Sequence, residues 1–207
     1  SSAASDVYKR QAFGDDGADT VHGDGGADTA YGGTGDDSIY GGGGNDSLVG
    51  DAGRDRIYGN DDDDTIFGWG SQDTLIGGNH NDLIYGNQSV DVLWGGLGHD
   101  SLYGQQSTDY LYGEFGNDIL HGGAGAGADY SYGDAGADTL WSGTGGASPG
   151  DGDQLDGGDG YDQVDGVSEL LDNWSSPTNY SQNNEAPPDD NNICLLYTSD
   201  AADEVSW

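Results

Sequence analysis

Basic side chains are almost missing from this chain. Lysine and arginine together number 4 against 39 aspartates and glutamates, a formal net charge of −35 over 207 residues. Such a surface repels nucleic acid and anionic membranes, so no nucleic-acid partner is expected. The single cysteine, Cys194, leaves no partner for an internal disulfide. No apolar run approaches the length that crosses a bilayer, so no membrane span is expected. A hydrophobic content of 32% beside this charge is ordinarily the profile of a disordered chain. The natural partner of so much carboxylate is a cation.

The two ends need separate treatment. Residues 1–11 (SSAASDVYKRQ), back-translated and read on the opposite strand, encode 194–203 (CLLYTSDAAD). Mutually antisense ends are the mark of a sequencing adapter, so 1–11 and most of 194–207 are expected to be adapter-derived and are set aside from fold reasoning. Cys194, Lys9 and Arg10 fall in these stretches. Between them, 12–166 is expected to form one repeat domain. The segment 167–193 is expected to form a cap and polar linker, with a short helix or cap at 168–174 and a Pro/Asn/Asp/Ser-rich linker at 175–192.

What the chain has in quantity is glycine, 41 residues of it, and the glycines are periodic. From Gly14 onward an aspartate returns every nine residues: Asp19, Asp28, Asp37, Asp46, Asp55, Asp64, Asp73, Asp82, Asp91, Asp100, Asp109 and Asp118. A glycine stands five residues before each, at the first position of a nine-residue unit whose sixth is the aspartate. At the eighth position stand Val21, Ala30, Ile39, Leu48, Ile57, Ile66, Leu75, Ile84, Leu93, Leu102, Leu111 and Leu120. The ninth is often aromatic: Tyr31, Tyr40, Tyr58, Phe67, Tyr85, Trp94, Tyr103, Tyr112, Tyr132 and Trp141. After His121 the period breaks. Two extra residues precede Asp129, a regular unit carries Asp138, a longer insertion follows, and 157–162 ends on Asp162.

The units 32–40 (GGTGDDSIY) and 41–49 (GGGGNDSLV) match the pattern G-G-x-G-x-D-x-U-x. On those residues the chain resembles the RTX, or haemolysin-type, calcium-binding nonapeptide repeat family over about 14–166. A nine-residue unit with one inward aliphatic suits an all-β fold, a parallel β-roll (a right-handed β-solenoid) with 18-residue coils and calcium-binding turns. Each unit would be a six-residue turn and a strand of about three residues, with coils about 4.8 Å apart. The aliphatics would point inward and the aromatics outward, because side chains alternate along a strand. Asp129 is followed by Ser131 at the inward position, so that coil is expected to be the least well packed.

Calcium suits such turns, because it takes six to eight oxygens from carboxylates and backbone carbonyls. The resemblance implies ions held between turns stacked 18 residues apart, such as Asp19 with Asp37 or Asp82 with Asp100. The metal-ligating set it implies is Asp19, Asp28, Asp37, Asp46, Asp55, Asp64, Asp82, Asp100, Asp118, Asp129, Asp138 and Asp162. Three turns of one column, 68–73, 86–91 and 104–109, carry serine where the fourth-position glycine belongs. Weak or absent calcium is expected near Asp73, Asp91 and Asp109, with those turns closed by side-chain hydrogen bonds. The turns 59–64 and 77–82 also depart from the pattern. Two aliphatics per coil cannot offset the entropy of ordering a glycine-rich coil, so folding is expected to require metal.

No enzyme signature accompanies the repeats. Gly146, Ser148 and Gly150 form a G-x-S-x-G, but no histidine follows it and more Gly/Asp sequence does. There is no H-E-x-x-H, the histidines His22, His80, His99 and His121 are scattered, and Leu155 disqualifies 151–159 as an EF-hand loop. The resemblance implies a secreted bacterial protein, extracellular or at the cell surface, exported unfolded by type I secretion and closed by calcium outside. Two alternatives stay open. One is a segment of an adhesin or surface-layer protein whose outer aromatic ladders contact glycan or a neighbouring domain. The other is an accessory module of a protease, lipase, epimerase or toxin. For the aromatics, cross-strand stacking that stiffens the sheets is the favoured expectation.

Overall fold

The computed structural model describes residues 11–124, 127–141, 153–160 and 162–165. The elbow-like 146–150, the cap at 168–174, the linker at 175–192 and the adapter-like 1–10 and 194–207 lie outside the described residues, while Gln11, last of the expected adapter stretch 1–11, opens the first strand.

Alternate strands enter two parallel sheets, as a two-unit coil requires. One sheet has nine strands, in order Gln11–Asp16, Thr29–Thr34, Ser47–Ala52, Thr65–Gly70, Leu83–Asn87, Ser101–Gln105, Ile119–Gly123, Thr139–Trp141 and Gln163–Asp165. The other has eight, from Thr20–Gly25 through Ser38–Gly43, Arg56–Asp61, Thr74–Asn79, Val92–Leu97, Tyr110–Phe115 and Tyr130–Tyr132 to Gln154–Asp156. Partners stand 18 residues apart, as in Ala30↔Leu48 and Ile39↔Ile57. The insertions shift this offset without breaking the stack: Leu120 pairs with Leu140, and Ser131 with Leu155. The result is a β-solenoid with coils of about 18 residues, consistent with a β-roll.

The strands are longer than the sequence suggests. Instead of three residues, the first thirteen run five or six. Pairing continues into the turn, because turn residues sit directly over their counterparts one coil on, as in Gly33↔Asp51 and Thr34↔Ala52. Only the last four strands, after the period breaks, keep to three residues.

The interior is a single double row of aliphatics. Ile39, Leu48, Ile57, Ile66, Leu75, Ile84, Leu93, Leu102, Leu111 and Leu120 have no exposed surface. Outside, ninth-position rings stack in register along each sheet: His22, Tyr40 and Tyr58; Phe67, Tyr85, Tyr103 and His121; Trp94, Tyr112 and Tyr132. Centroids of the tyrosine pairs lie near 5 Å with planes 4–15° apart. Tyr110 and Tyr130 stack likewise at the seventh position, 4.9 Å apart. Within each stack the inner rings, such as Tyr40, Tyr85 and Tyr112, have a ring neighbour on either side. Such cross-strand ring pairs stiffen the sheet.

One core position is defective. Ser131 is fully buried between Leu111 and Leu155, and its hydroxyl has no hydrogen-bond partner. A buried hydroxyl without a partner costs about 1–3 kcal/mol. Ser131→Val is therefore expected to stabilise the roll by about 1–3 kcal/mol, read as a raised denaturation midpoint. An unchanged or lowered midpoint would mean that the hydroxyl is satisfied.

Candidate metal-binding turns

Every sixth-position aspartate turns its carboxylate inward along the edge of the core. From Asp37 and Asp46 onward its Oδ1 accepts a hydrogen bond from the backbone N–H of the aspartate one coil earlier. One ladder runs Asp19, Asp37, Asp55, Asp73, Asp91, Asp109, Asp129, Asp153, with bonds of 2.8–2.9 Å. The other runs Asp28, Asp46, Asp64, Asp82, Asp100, Asp118, Asp138, Asp162, with bonds of 2.7–3.0 Å. All twelve aspartates expected as ligands lie on these ladders. Asp73, Asp91 and Asp109 lie there too, with the same contacts. Of the side-chain bonds expected to close their turns, Asn87 Nδ2 donates to Tyr85 O at 3.3 Å.

Asp153 is a ladder residue that the repeat pattern does not reveal. It is buried, and its Oδ1 accepts from Asp129 N at 2.8 Å, so it continues the ladder across the insertion. The available signal is Leu155, the aliphatic two residues on. It is hidden because Ser148 stands where the first-position glycine belongs.

The second oxygen explains the first-position glycine. An ideal Cβ on Gly41 would lie 2.5 Å from Asp46 Oδ2 and 2.8 Å from Gly59 O, and Gly32 meets Asp37 Oδ2 and Gly50 O in the same way. The glycine there makes room for a carboxylate folded back over it. In Asp37, Asp46, Asp55, Asp64, Asp73, Asp82, Asp91, Asp100, Asp109, Asp118 and Asp138 this Oδ2 is buried and has no hydrogen-bond donor.

Buried carboxylates without counter-charge resist ionisation. Burial, reinforced by neighbouring carboxylates and opposed by the backbone N–H, lifts Asp46, Asp55, Asp100 and Asp162 to about 6. The same forces lift Asp64, Asp73, Asp109, Asp118 and Asp138 to about 7, and Asp82 and Asp91 to about 8. At neutral pH these ladders call for a cation.

The turn backbone can help supply its ligands. An ideal Cβ on Gly33 or Gly35 would run into the carbonyl oxygen of Asp15 or Gly17 one coil earlier, so carbonyl oxygens lie between stacked turns. Among the described residues no three His, Cys, Asp or Glu side chains converge on one point. Any ion held here needs ligands besides these side chains, and the stacked carbonyls are close at hand. All-oxygen donors of this kind, beside partnerless carboxylate oxygens, fit a hard divalent cation and offer nothing to a soft one.

The family profile described as RTX calcium-binding nonapeptide repeat (4 copies) matches residues 13–48, 40–75, 70–102, 94–128, 103–140 and 124–146. Together these cover well over half of the chain. The chain belongs to the RTX calcium-binding repeat family. No curated protein matches it. The RTX repeat is a structural calcium-binding module, which accounts for carboxylates buried without counter-charge and for the glycines that make room for them.

The raised carboxylates fix the pH dependence of the metal-free roll. Between about pH 4 and pH 8 the folded state holds more protons than the unfolded chain, so stability falls as pH rises through that window. In chelator, circular dichroism is expected to show β-structure at pH 4 that is lost by pH 8. Calcium should reverse the trend, because bound carboxylates are deprotonated. β-structure that strengthens towards pH 8 in chelator would contradict the assignment of uncompensated buried carboxylates.

Proposed function

We propose that this chain is a non-catalytic structural module that binds several calcium ions between stacked turns and folds as it does so. The observation that carries this is the pair of carboxylate ladders. Eleven named Oδ2 atoms lie buried without a donor, and no basic residue stands on either ladder. The candidate ligands are the carboxylates of Asp19, Asp28, Asp37, Asp46, Asp55, Asp64, Asp82, Asp100, Asp118, Asp129, Asp138 and Asp162, together with turn carbonyls. Bound calcium supplies the positive charge that lets adjacent coils approach.

The likeness to secreted proteins gives the module a cellular logic. Low cytosolic calcium keeps the chain loose for type I secretion, and extracellular calcium closes it afterwards. Affinities suited to that task lie at a Kd of about 10⁻⁴–10⁻³ M per site. The outer aromatic stacks serve as stiffening, since their rings pair across strands.

Titrating chelator-treated protein with calcium at pH 7.5 is expected to raise the β signal cooperatively, with a midpoint at about 10⁻⁴–10⁻³ M. Magnesium, which dehydrates reluctantly and demands octahedral geometry, should fail to do so at the same concentration. A far-ultraviolet spectrum indifferent to calcium would sink the proposal.

A further inference from the structure

The turns of this roll are of two kinds, and the difference lies at the fourth position. Where it is glycine, at Gly17, Gly26, Gly35, Gly44, Gly53, Gly98, Gly116, Gly136 and Gly160, φ lies between 108° and 156°. Where it is Asp62, Ser71, His80, Ser89 or Ser107, φ falls to 76–86°. A side chain cannot occupy the glycine conformation here. An ideal Cβ on Gly35, Gly53 or Gly98 would run into the carbonyl of the turn below. The substituted residues therefore retreat to the left-handed well, and their peptide planes rotate.

That rotation removes a bond between coils. In the glycine turns the fourth-position N–H donates to the third-position carbonyl of the next coil: Gly17 to Thr34 and Gly26 to Gly43 at 2.6 Å, and Gly35 to Ala52 at 2.7 Å. The bond stretches to 3.3 Å from Gly44 to Asp61 and to 3.4 Å from Gly53 to Gly70, where the column meets its first substituted turns. Among the described residues Asp62, Ser71, His80, Ser89 and Ser107 do not make it. It returns at Gly98 to Phe115 at 2.9 Å, and at Gly116 and Gly136 at 2.8 Å.

The core does not weaken where the bond is lost. Between 57 and 111 every inward residue is a fully buried Ile or Leu. The first coils offer only Ala12, Val21 and Ala30, and a later one Ser131. Apolar packing is as complete beside the substituted turns as beside Gly35, Gly44, Gly98 and Gly116, where Ile39, Leu48, Leu102 and Leu120 are also fully buried, so the loss of the bond between coils there has no counterpart in the core.

We infer that calcium in this roll is confined to two separate clusters joined by an ion-free waist. The first cluster lies between the turns carrying Gly17, Gly35 and Gly53 and between those carrying Gly26 and Gly44. The second lies between the turns carrying Gly98, Gly116, Gly136 and Gly160. The turns of Asp64, Asp73, Asp82, Asp91 and Asp109 hold none, nor does that of Asp129, which stacks on the Ser107 turn. Counting the intervals with glycine on both sides gives about six ions. The inference rests on the calcium reading above and adds where the ions go.

Native mass spectrometry of the full chain in calcium, paired with hydrogen exchange with and without calcium, tests it. About six ions are expected. Calcium-dependent protection should begin in the turns of both clusters at lower calcium than in 59–91. Ser71→Gly, Ser89→Gly and Ser107→Gly combined should increase the number of bound ions. Asp73→Asn, Asp91→Asn and Asp109→Asn should leave it unchanged, while Gly35→Ser and Gly116→Ser should each lower it. A fall in ion number on substituting those three aspartates would overturn the inference, as would an unchanged count in the triple-glycine protein. So would a waist protected at the same calcium concentration as the clusters, a result that needs no variant. A wild-type chain that binds no calcium fails earlier, at the calcium reading itself.

Discussion

The roll depends on the contact between one aspartate and the aspartate a coil above it. Oδ1 closes a hydrogen bond to a backbone N–H, and in most rungs Oδ2 is left buried against a glycine with no donor. Repeated along two edges, this gives each coil a way to register on the next and gives the whole stack a charge it cannot bear alone. Hydrogen bonding to the backbone lowers the cost of each carboxylate; burial and the next carboxylate raise it. The rest follows from that imbalance. The glycines make room for the carboxylates, and the net charge of −35 finds no basic counterpart.

A solenoid with so narrow an interior is a nearly one-dimensional object, each coil touching only its neighbours. Its stability is a sum of small local terms, and it can therefore be supplied differently along its length. In the middle coils Ile57, Ile66, Leu75, Ile84, Leu93, Leu102 and Leu111 fill the interior completely. At the start Ala12 and Ala30 take such places, and there the turns keep Gly17, Gly26 and Gly35. An ion at ten times its Kd contributes about 1.4 kcal/mol to the folded state, so a few ions at each end compare with a few well-packed aliphatics in the centre.

Much of this was legible in the residues. The nine-residue return of aspartate and aliphatic suited an 18-residue coil, and period-two alternation then put the aliphatics inside and the aromatics outside. Three things were not legible. The strands run through the turns, since hydrogen bonding between stacked turns is a property of the assembled coil and not of one unit. Asp153 was hidden by an insertion that moved it off the period. The first-position glycine looked like a turn residue, whereas Gly32 and Gly41 are needed for the space they leave to Asp37 and Asp46. Serine at the fourth position was visible as a departure, but its effect on φ and on the bond to the next coil needed coordinates.

The account stands on the claim that at neutral pH the roll does not hold together without bound cations. Thermal unfolding at pH 7.5, in excess chelator and in millimolar calcium, tests this most directly. The account predicts a cooperative melt in calcium and, in chelator, an expanded chain with none. A chelated protein that stays compact and melts at the same temperature would contradict it.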